Sequence, residues 1–474
     1  MAKHKISLVV MALVGVPFFL ASCKGTEPGA GAAGDELRVV KVEGAAVCYN
    51  HTLAPFSWMV SEEGRPAGLL ARDGDLLAFL IATSPKKTPG DPLFLSYRAT
   101  DGAALAVALE DEDERLLLAG KTVSVLLKDE ATWEWLGQAS EEDLKGLRLL
   151  YMEETVDAAQ FEILKKVAKT NPAIDLWLEP REAPPTGEEG AAAPPAVEPA
   201  DALRLFRPRL LSIPAATLAA ETEQVRTSLE DVEVLMLGNA EGESLDFLAH
   251  LPRLRTLLLS KWSPEQSPLP KKMKSLKSLI LGKSPSGLSP LADFPQLEQL
   301  TLTGDNAEDL SPLAKLPKLH ILSLAGCEKV TDLGPLKNLP LEYLSFPPKI
   351  SQQEFDAVIK DHSGLKAVEL FNCENVKDIA ALKGLKDLKA LVLIKPAFEG
   401  EKHLADLKEL KGLRLLVLPP WEGEEANAKI AELQKALPDC LITAGKPLCL
   451  GSGWILLLAP VVAGAWLISR RRAR

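Results

Sequence analysis

Asp309-Leu310-Ser311-Pro312-Leu313-Ala314-Lys315-Leu316, followed by Leu319, Leu322 and Leu324 and closed by Cys327, is the stretch that decides the fold. Its second half is the six-residue pattern L-x-x-L-x-L, and its first half is an apolar triplet set among polar and turn-forming residues. Side chains alternate along a strand, so the fourth and sixth residues of the pattern, Leu322 and Leu324, point to the same side. The triplet Leu310, Leu313 and Leu316 carries the chain back along the opposite wall. Two apolar rows then enclose one core, which a single unit is too small to sustain without stacked neighbours.

Copies stand on both sides of this stretch. The pattern opens at Val232, Leu254, Leu276, Leu297, Leu319, Leu341, Leu365, Leu388 and Leu413, in steps of 22, 22, 21, 22, 22, 24, 23 and 25 residues. That spacing is the period of a strand plus a short return segment stacked as a solenoid. The ninth position is Cys327 in one unit and Cys373 in another, where a buried thiol can serve the turn leaving the strand. Elsewhere it varies from Ala240 to Trp421, so the turn ladder is imperfect.

These recurrences resemble the leucine-rich repeat family, and the segments of form D-L-x-P-L-x-x-L-x-x-L are similar to its roughly 22-residue bacterial and protein-phosphatase-regulator subtypes. The resemblance implies an α/β solenoid: a curved parallel sheet with a helical or irregular convex side. It also implies a protein that binds partners, and it leaves their identity open.

Upstream of Val232 the repeat weakens. Leu144, Leu147 and Leu149 fit the pattern, as do Ala173, Leu176 and Leu178, with a helical stretch from Asp157 to Lys169 between them. Pro208 to Ile213 reads as a further rung. From Glu36 to Gln138 short apolar runs alternate with Gly, Pro and Asp, the texture of a small β-rich domain. The Pro, Ala and Glu composition of 180–200 cannot bury apolar surface and reads as a linker or insertion. The expected organisation is a signal peptide over 1–22, a tether over 23–35, the β-rich domain over 36–138 and divergent repeats over 139–179. After the linker come the solenoid with its C-terminal cap over 201–446 and a membrane segment over 447–474.

The two ends carry an address. Lys3, His4 and Lys5 precede an apolar run from Ile6 to Leu20, which closes with Leu20-Ala21-Ser22-Cys23, the order of a secretory signal. The last four residues resemble the lipobox of bacterial lipoproteins, and that resemblance implies lipidation at Cys23. At the other end no charge appears from Leu448 to Ser469. As a helix this run would be about 33 Å long and would cross a hydrocarbon core of about 30 Å. Arg470, Arg471, Arg472 and Arg474 then hold the cytoplasmic side. Cys449, Gly451-Ser452-Gly453, the apolar run and the Arg cluster are also similar to bacterial C-terminal sorting signals. Plain anchoring and a processed tail both stay open, as do the inner and outer membranes.

With 47 % hydrophobic and 25 % charged residues among 474, the chain can bury a large core. Its net charge of −11 and the lack of a basic patch before the terminal arginines argue against nucleic acid. Six cysteines do not make a disulfide framework. Cys327 and Cys373 lie two rungs apart, about 10 Å, beyond the roughly 7 Å between alpha carbons that a bridge allows.

Catalysis finds little support, and the chain is read as non-enzymatic. The six histidines stand alone, and no H-E-x-x-H, C-x-x-C, phosphate loop or G-x-S-x-G occurs. No metal site or cofactor is expected. Trp133-Glu134-Trp135 reads first as core or cap. A cleft holding His51, Cys48 or the two tryptophans beside paired carboxylates would instead favour a small-ligand sensor or enzyme carried by the N-terminal domain.

A binding surface is expected on the strand positions pointing away from the core. That column contains Met236, Leu258, Ile280, Thr301, Ser323, Ser345, Glu369 and Val392, with Tyr343 and Phe371 from neighbouring columns as anchors. The overall expectation is a membrane-tethered lipoprotein of the bacterial cell envelope, facing the periplasm or exterior, whose repeats bind another protein first and a glycan second. A passive envelope component is the remaining alternative.

Overall fold

The computed structural model describes residues 37–42, 45–50, 57–61, 66–70, 93–98, 104–112, 115–118, 121–127, 130–147, 149–179, 197, 199–219, 228–283, 287–302, 307–394, 400–413, 415–418, 424–438 and 440–444. Four short strands near the start, β1 (Leu37–Val42), β2 (Ala45–Asn50), β3 (Ser57–Ser61) and β4 (Pro66–Leu70), form an antiparallel sheet in chain order. Val39 lies opposite Cys48, and Cys48 opposite Trp58. Strands β5 (Leu93–Arg98), β6 (Ala104–Glu112), β7 (Arg115–Leu118) and β8 (Lys121–Leu127) continue the strand-rich texture expected there.

The chain clusters into two compact units: one holds β1 to β5 and the chain from Leu281 onward, and the other is built mainly from Leu109–Ile280. In the unit built mainly from Leu109–Ile280, β7 pairs antiparallel with β6 and with β8. Strand β8 then pairs in parallel with β9 (Leu149–Glu153), which begins a parallel series through β10 (Asp175–Glu179), β11 (Leu210–Ile213), β12 (Val234–Asn239) and β13 (Thr256–Lys261). The boundary expected at Gln138 therefore does not interrupt the sheet, because β8 is both a hairpin strand and the first rung. Strand β11 is the rung expected at Pro208 to Ile213.

One phase differs from expectation. Leu150 and Met152 pair with Leu176 and Leu178 and are buried with them, which makes Leu147, Leu150 and Met152 the first, fourth and sixth positions of that rung. Leu144, Leu147 and Leu149 are the pattern displaced by three residues. A methionine at the sixth position fills the core as a leucine would, so counting leucines alone finds the wrong phase.

Helices α1 (Glu130–Gln138), α2 (Glu141–Gly146) and α3 (Ala158–Thr170) return the chain between the first rungs. Ser140 starts α2 and Asp157 starts α3, each in a capping box, with Asp143 and Gln160 as the reciprocal partners. Of the linker region, the Val197 N–H donates to the Val156 carbonyl at 2.7 Å. Short helices α4 (Pro199–Leu203) and α5 (Ala215–Ala219) follow, and β14 (Ser278–Lys283) carries the next rung.

In the unit from Leu281 onward, β15 (Gln299–Leu302), β16 (Ile321–Ser323), β17 (Tyr343–Phe346), β18 (Ala367–Phe371), β19 (Ala390–Ile394), β20 (Leu415–Leu418) and β21 (Leu441–Ala444) pair in parallel, each with the next. Leu322, Leu344, Val368 and Leu391 stack at the fourth position, and Leu324, Phe346, Leu370 and Leu393 at the sixth, all buried. Tight 3-10 turns at Ser289–Asp293, Ser311–Lys315, Gly334–Leu336 and Ala380–Gly384 bury Leu291, Leu313, Leu336 and Leu382 against them. The aspartate before three of these turns has a local job. Asp309, Asp332 and Asp378 each accept from the N–H two residues on, at 2.8 Å, closing a turn that the backbone would otherwise leave open.

The longer steps in the sequence also find their cause. The steps of 24 and 25 residues contain α6 (Gln352–Asp361) and α7 (Gly400–Glu409) in place of a 3-10 turn. An α-helix rises about 1.5 Å per residue against about 2.0 Å for a 3-10 helix, so the same wall takes more residues. Helix α8 (Glu424–Ala436) and β21 close the array, as expected of a cap. The fold is an α/β leucine-rich repeat solenoid.

Candidate interaction surface

The binding column is built as the alternation requires. Thr301, Ser323, Ser345, Glu369 and Val392 occupy one in-register row across β15 to β19, with Tyr343 one row over, opposite Ala367, and Phe371 opposite Ile394. In the other unit Met236 stands opposite Leu258, and Ile280 sits in β14. The column exists, but it is not the open wall that was expected. Met236, Leu258, Ile280, Thr301, Ser323, Tyr343, Ser345, Glu369 and Val392 are only 0 to 7 % exposed, and Phe371 alone is half-buried. Part of the reason lies within the row. Rungs about 4.8 Å apart crowd their side chains, and the Tyr343 ring reaches diagonally to the next strand.

Its target is Glu369. The Tyr343 hydroxyl donates to the Glu369 carboxylate at 2.5 Å. Burial pushes the Glu369 carboxyl up to about 7, against the opposing pull of the Tyr343 and Ser345 hydroxyls. Burial and the neighbouring Glu369 charge likewise raise the Tyr343 phenol well above its usual value. The second carboxylate oxygen, Oε1, has no hydrogen-bond partner, and the Ser345 hydroxyl beside it makes none of full geometry. Sequence reasoning placed all three residues on this face. Their grouping across a 26-residue separation depends on the stacking register, which no local signal reports.

The thiols behave as turn supports. Cys327 Sγ donates to the Leu302 carbonyl at 3.5 Å, and Cys373 Sγ to the Pro347 carbonyl at 3.5 Å, each reaching back to the preceding rung. Neither forms a disulfide, nor does Cys440, and all three are buried. Burial pushes the Cys373 thiol up to about 12, so it is not a nucleophile. His362 contacts two backbone carbonyls, of Val358 and Leu336, both at 2.9 Å, and His403 contacts the Lys377 carbonyl. These histidines tie turns together. Among the described residues no cluster of three or more candidate ligands fits a metal ion, and no helix is long and apolar enough to cross a membrane. Cys23 and the apolar run from Leu448 lie outside the described residues.

The rungs and the buried double row define the fold class, a leucine-rich repeat solenoid. No protein-family model and no curated protein matches the chain. Solved structures similar to it include an internalin of Listeria monocytogenes, at 20 % identity and a TM-score of 0.38, covering 69 % of this chain and 93 % of that one. Internalin C2 of the same species is 20 % identical with a TM-score of 0.32, over 42 % of this chain and 88 % of that one. A leucine-rich repeat protein of Leptospira interrogans is 16 % identical with a TM-score of 0.35, over 67 % and 99 %.

Proposed function

We propose that this chain is a non-enzymatic lipoprotein of the bacterial cell envelope, tethered through Cys23 and its C-terminal apolar run, whose repeat sheet receives another protein. One observation carries the binding part: two buried polar atoms at the middle of the sheet face, Glu369 Oε1 and Ser345 Oγ, make no hydrogen bond of full geometry. Each such group costs roughly 1–3 kcal/mol, and a donor side chain from a partner would relieve both. Apolar neighbours Ile321, Val392 and Phe371 supply the contact area such an insertion needs. Because the row is buried, engagement requires the face to open.

A photo-crosslinking side chain at Phe371, the most accessible of these positions, tests the reading in intact membranes. The expected result is an adduct with one defined protein that weakens on Glu369→Ala and does not form from Lys360 on α6. Equal labelling from both positions, or none from Phe371, sinks it. For the anchor, Cys23→Ala is expected to abolish incorporation of labelled fatty acid and to leave unprocessed precursor. Undiminished incorporation would remove the lipoprotein reading.

A further inference from the structure

Three neighbouring side chains of the outward row are too short for their burial. Thr301, Ser323 and Ser345 stand in register on successive rungs, and their exposures are 7, 4 and 0 %. Rungs lie about 4.8 Å apart, so a long side chain such as Tyr343 can shade the strand beside it. Short hydroxyl side chains in a line cannot shade one another. Exposure falls from Thr301 to 0 % at Ser345 and Glu369, and is 1 % at Val392. Crowding within a row acts on every rung alike, so a minimum on β17 and β18 calls for a body lying over them.

The same compact unit contains a sheet that needs a surface to lie against. Strands β1 to β4 belong with the rungs from Leu281 onward. Opposite residues of antiparallel strands share a face. The pairs Val39 with Cys48, Cys48 with Trp58 and Trp58 with Leu69 therefore set one apolar line across all four strands. Ala46 and Val60, opposite one another and two residues away, widen it. A sheet this small needs such a face covered to be stable. Its four strands span about 19 Å, as do the four rungs β16 to β19, and sheets stack face to face at about 10 Å.

We propose that the β1–β4 sheet is an intramolecular cover, stacked by this apolar face over the outward row of β16 to β19, and that it must leave before a partner is received. The second half rests on the partner reading above, and the first does not. Ile321, Val392 and Phe371 then serve twice, holding the cover in the closed chain and the partner in the open one. Competition for one surface keeps an apolar patch out of water until a partner displaces the sheet.

The full chain carrying Ser345→Cys, purified in detergent micelles, reports the cover through the rate at which iodoacetamide labels that position, resolved by peptide mass spectrometry. Labelling is expected to be slow. Trp58→Asp combined with Val60→Asp should speed it by about tenfold or more, and the milder Trp58→Ala by about threefold or more. Cys327 and Cys373, buried in the repeats, should stay unlabelled throughout, as they would in rungs that remain folded. Ser57→Asp combined with Ser61→Asp puts the same charge on the opposite face of β3 and should leave the rate unchanged. In membranes, Trp58→Ala should raise the partner adduct from Phe371 by about threefold or more. The proposal is overturned by fast labelling in the chain with Ser345→Cys alone, by an unchanged rate with Trp58→Ala, by equal rates in the two aspartate variants, or by a partner adduct that does not rise. No adduct from any variant, with labelling as expected, instead sinks the partner reading while the labelling upholds the cover.

Discussion

Replacing Glu369 by glutamine should stabilise this protein at alkaline pH and do almost nothing at acid pH. The carboxyl titrates near 7 in the folded chain against an ordinary value of 4.5, because burial penalises its charge more than the Tyr343 and Ser345 hydroxyls relieve it. A folded-state value above the unfolded one means that the native protein holds the proton longer. The resulting penalty is absent below pH 4.5, grows between 4.5 and 7, and is complete above 7. A difference of this size corresponds to roughly 3 kcal/mol. Glu369→Gln removes the titration while keeping an oxygen to accept from Tyr343, and its amide offers the unpaired Ser345 hydroxyl a donor. Urea unfolding followed by far-UV circular dichroism, at intervals from pH 4 to pH 8.5, reads the difference between variant and parent and cancels the other carboxylates. That difference is expected to rise from near zero at pH 4 to roughly 3 kcal/mol above pH 7.5. A difference that is flat with pH, or a glutamine variant less stable than the parent at pH 8, would refute the buried-charge account.

The other expectations follow from the same core. Tyr343→Phe removes a donor that favours the Glu369 anion, so the midpoint of the pH profile should move upward, with a loss of about 1.5–3 kcal/mol at pH 8 and much less at pH 4; an unmoved midpoint would disprove the coupling. Leu322→Ala empties a fully buried fourth position and should cost about 2–5 kcal/mol in the same urea assay, whereas a loss under 1 kcal/mol would mean that the stacked row is not the core. Cys373 should resist iodoacetamide at pH 8 in the native protein and react fully in urea, read by mass spectrometry, since burial holds its thiol near 12; rapid native labelling would contradict that placement.

Much of the architecture was legible because the repeat is written in local terms. A leucine at the fourth and sixth positions of each strand faces the core whatever its neighbours do, and the D-L-x-P-L segments announce the return along the opposite wall. Even the extra residues in two rungs were visible as longer steps, although only the structure shows that they pay for helices α6 and α7. Leu150 and Met152 were misread because the first rungs substitute freely among apolar residues and keep shape without keeping leucine. The continuity of the sheet past Gln138 was not legible because β8 serves both as hairpin partner and as parallel rung, with no break in composition.

The binding face divides along the same line. Alternation alone placed Tyr343, Ser345 and Glu369 on the side away from the leucines. Which of them touch, and how deeply they are buried, depended on the stacking of β17 on β18 and on the rungs around them. Direction along a strand is a property of adjacent residues, so the chain determines it by itself. Solvation and charge are set by every atom within a few ångströms, and those atoms become neighbours only after the rungs have stacked.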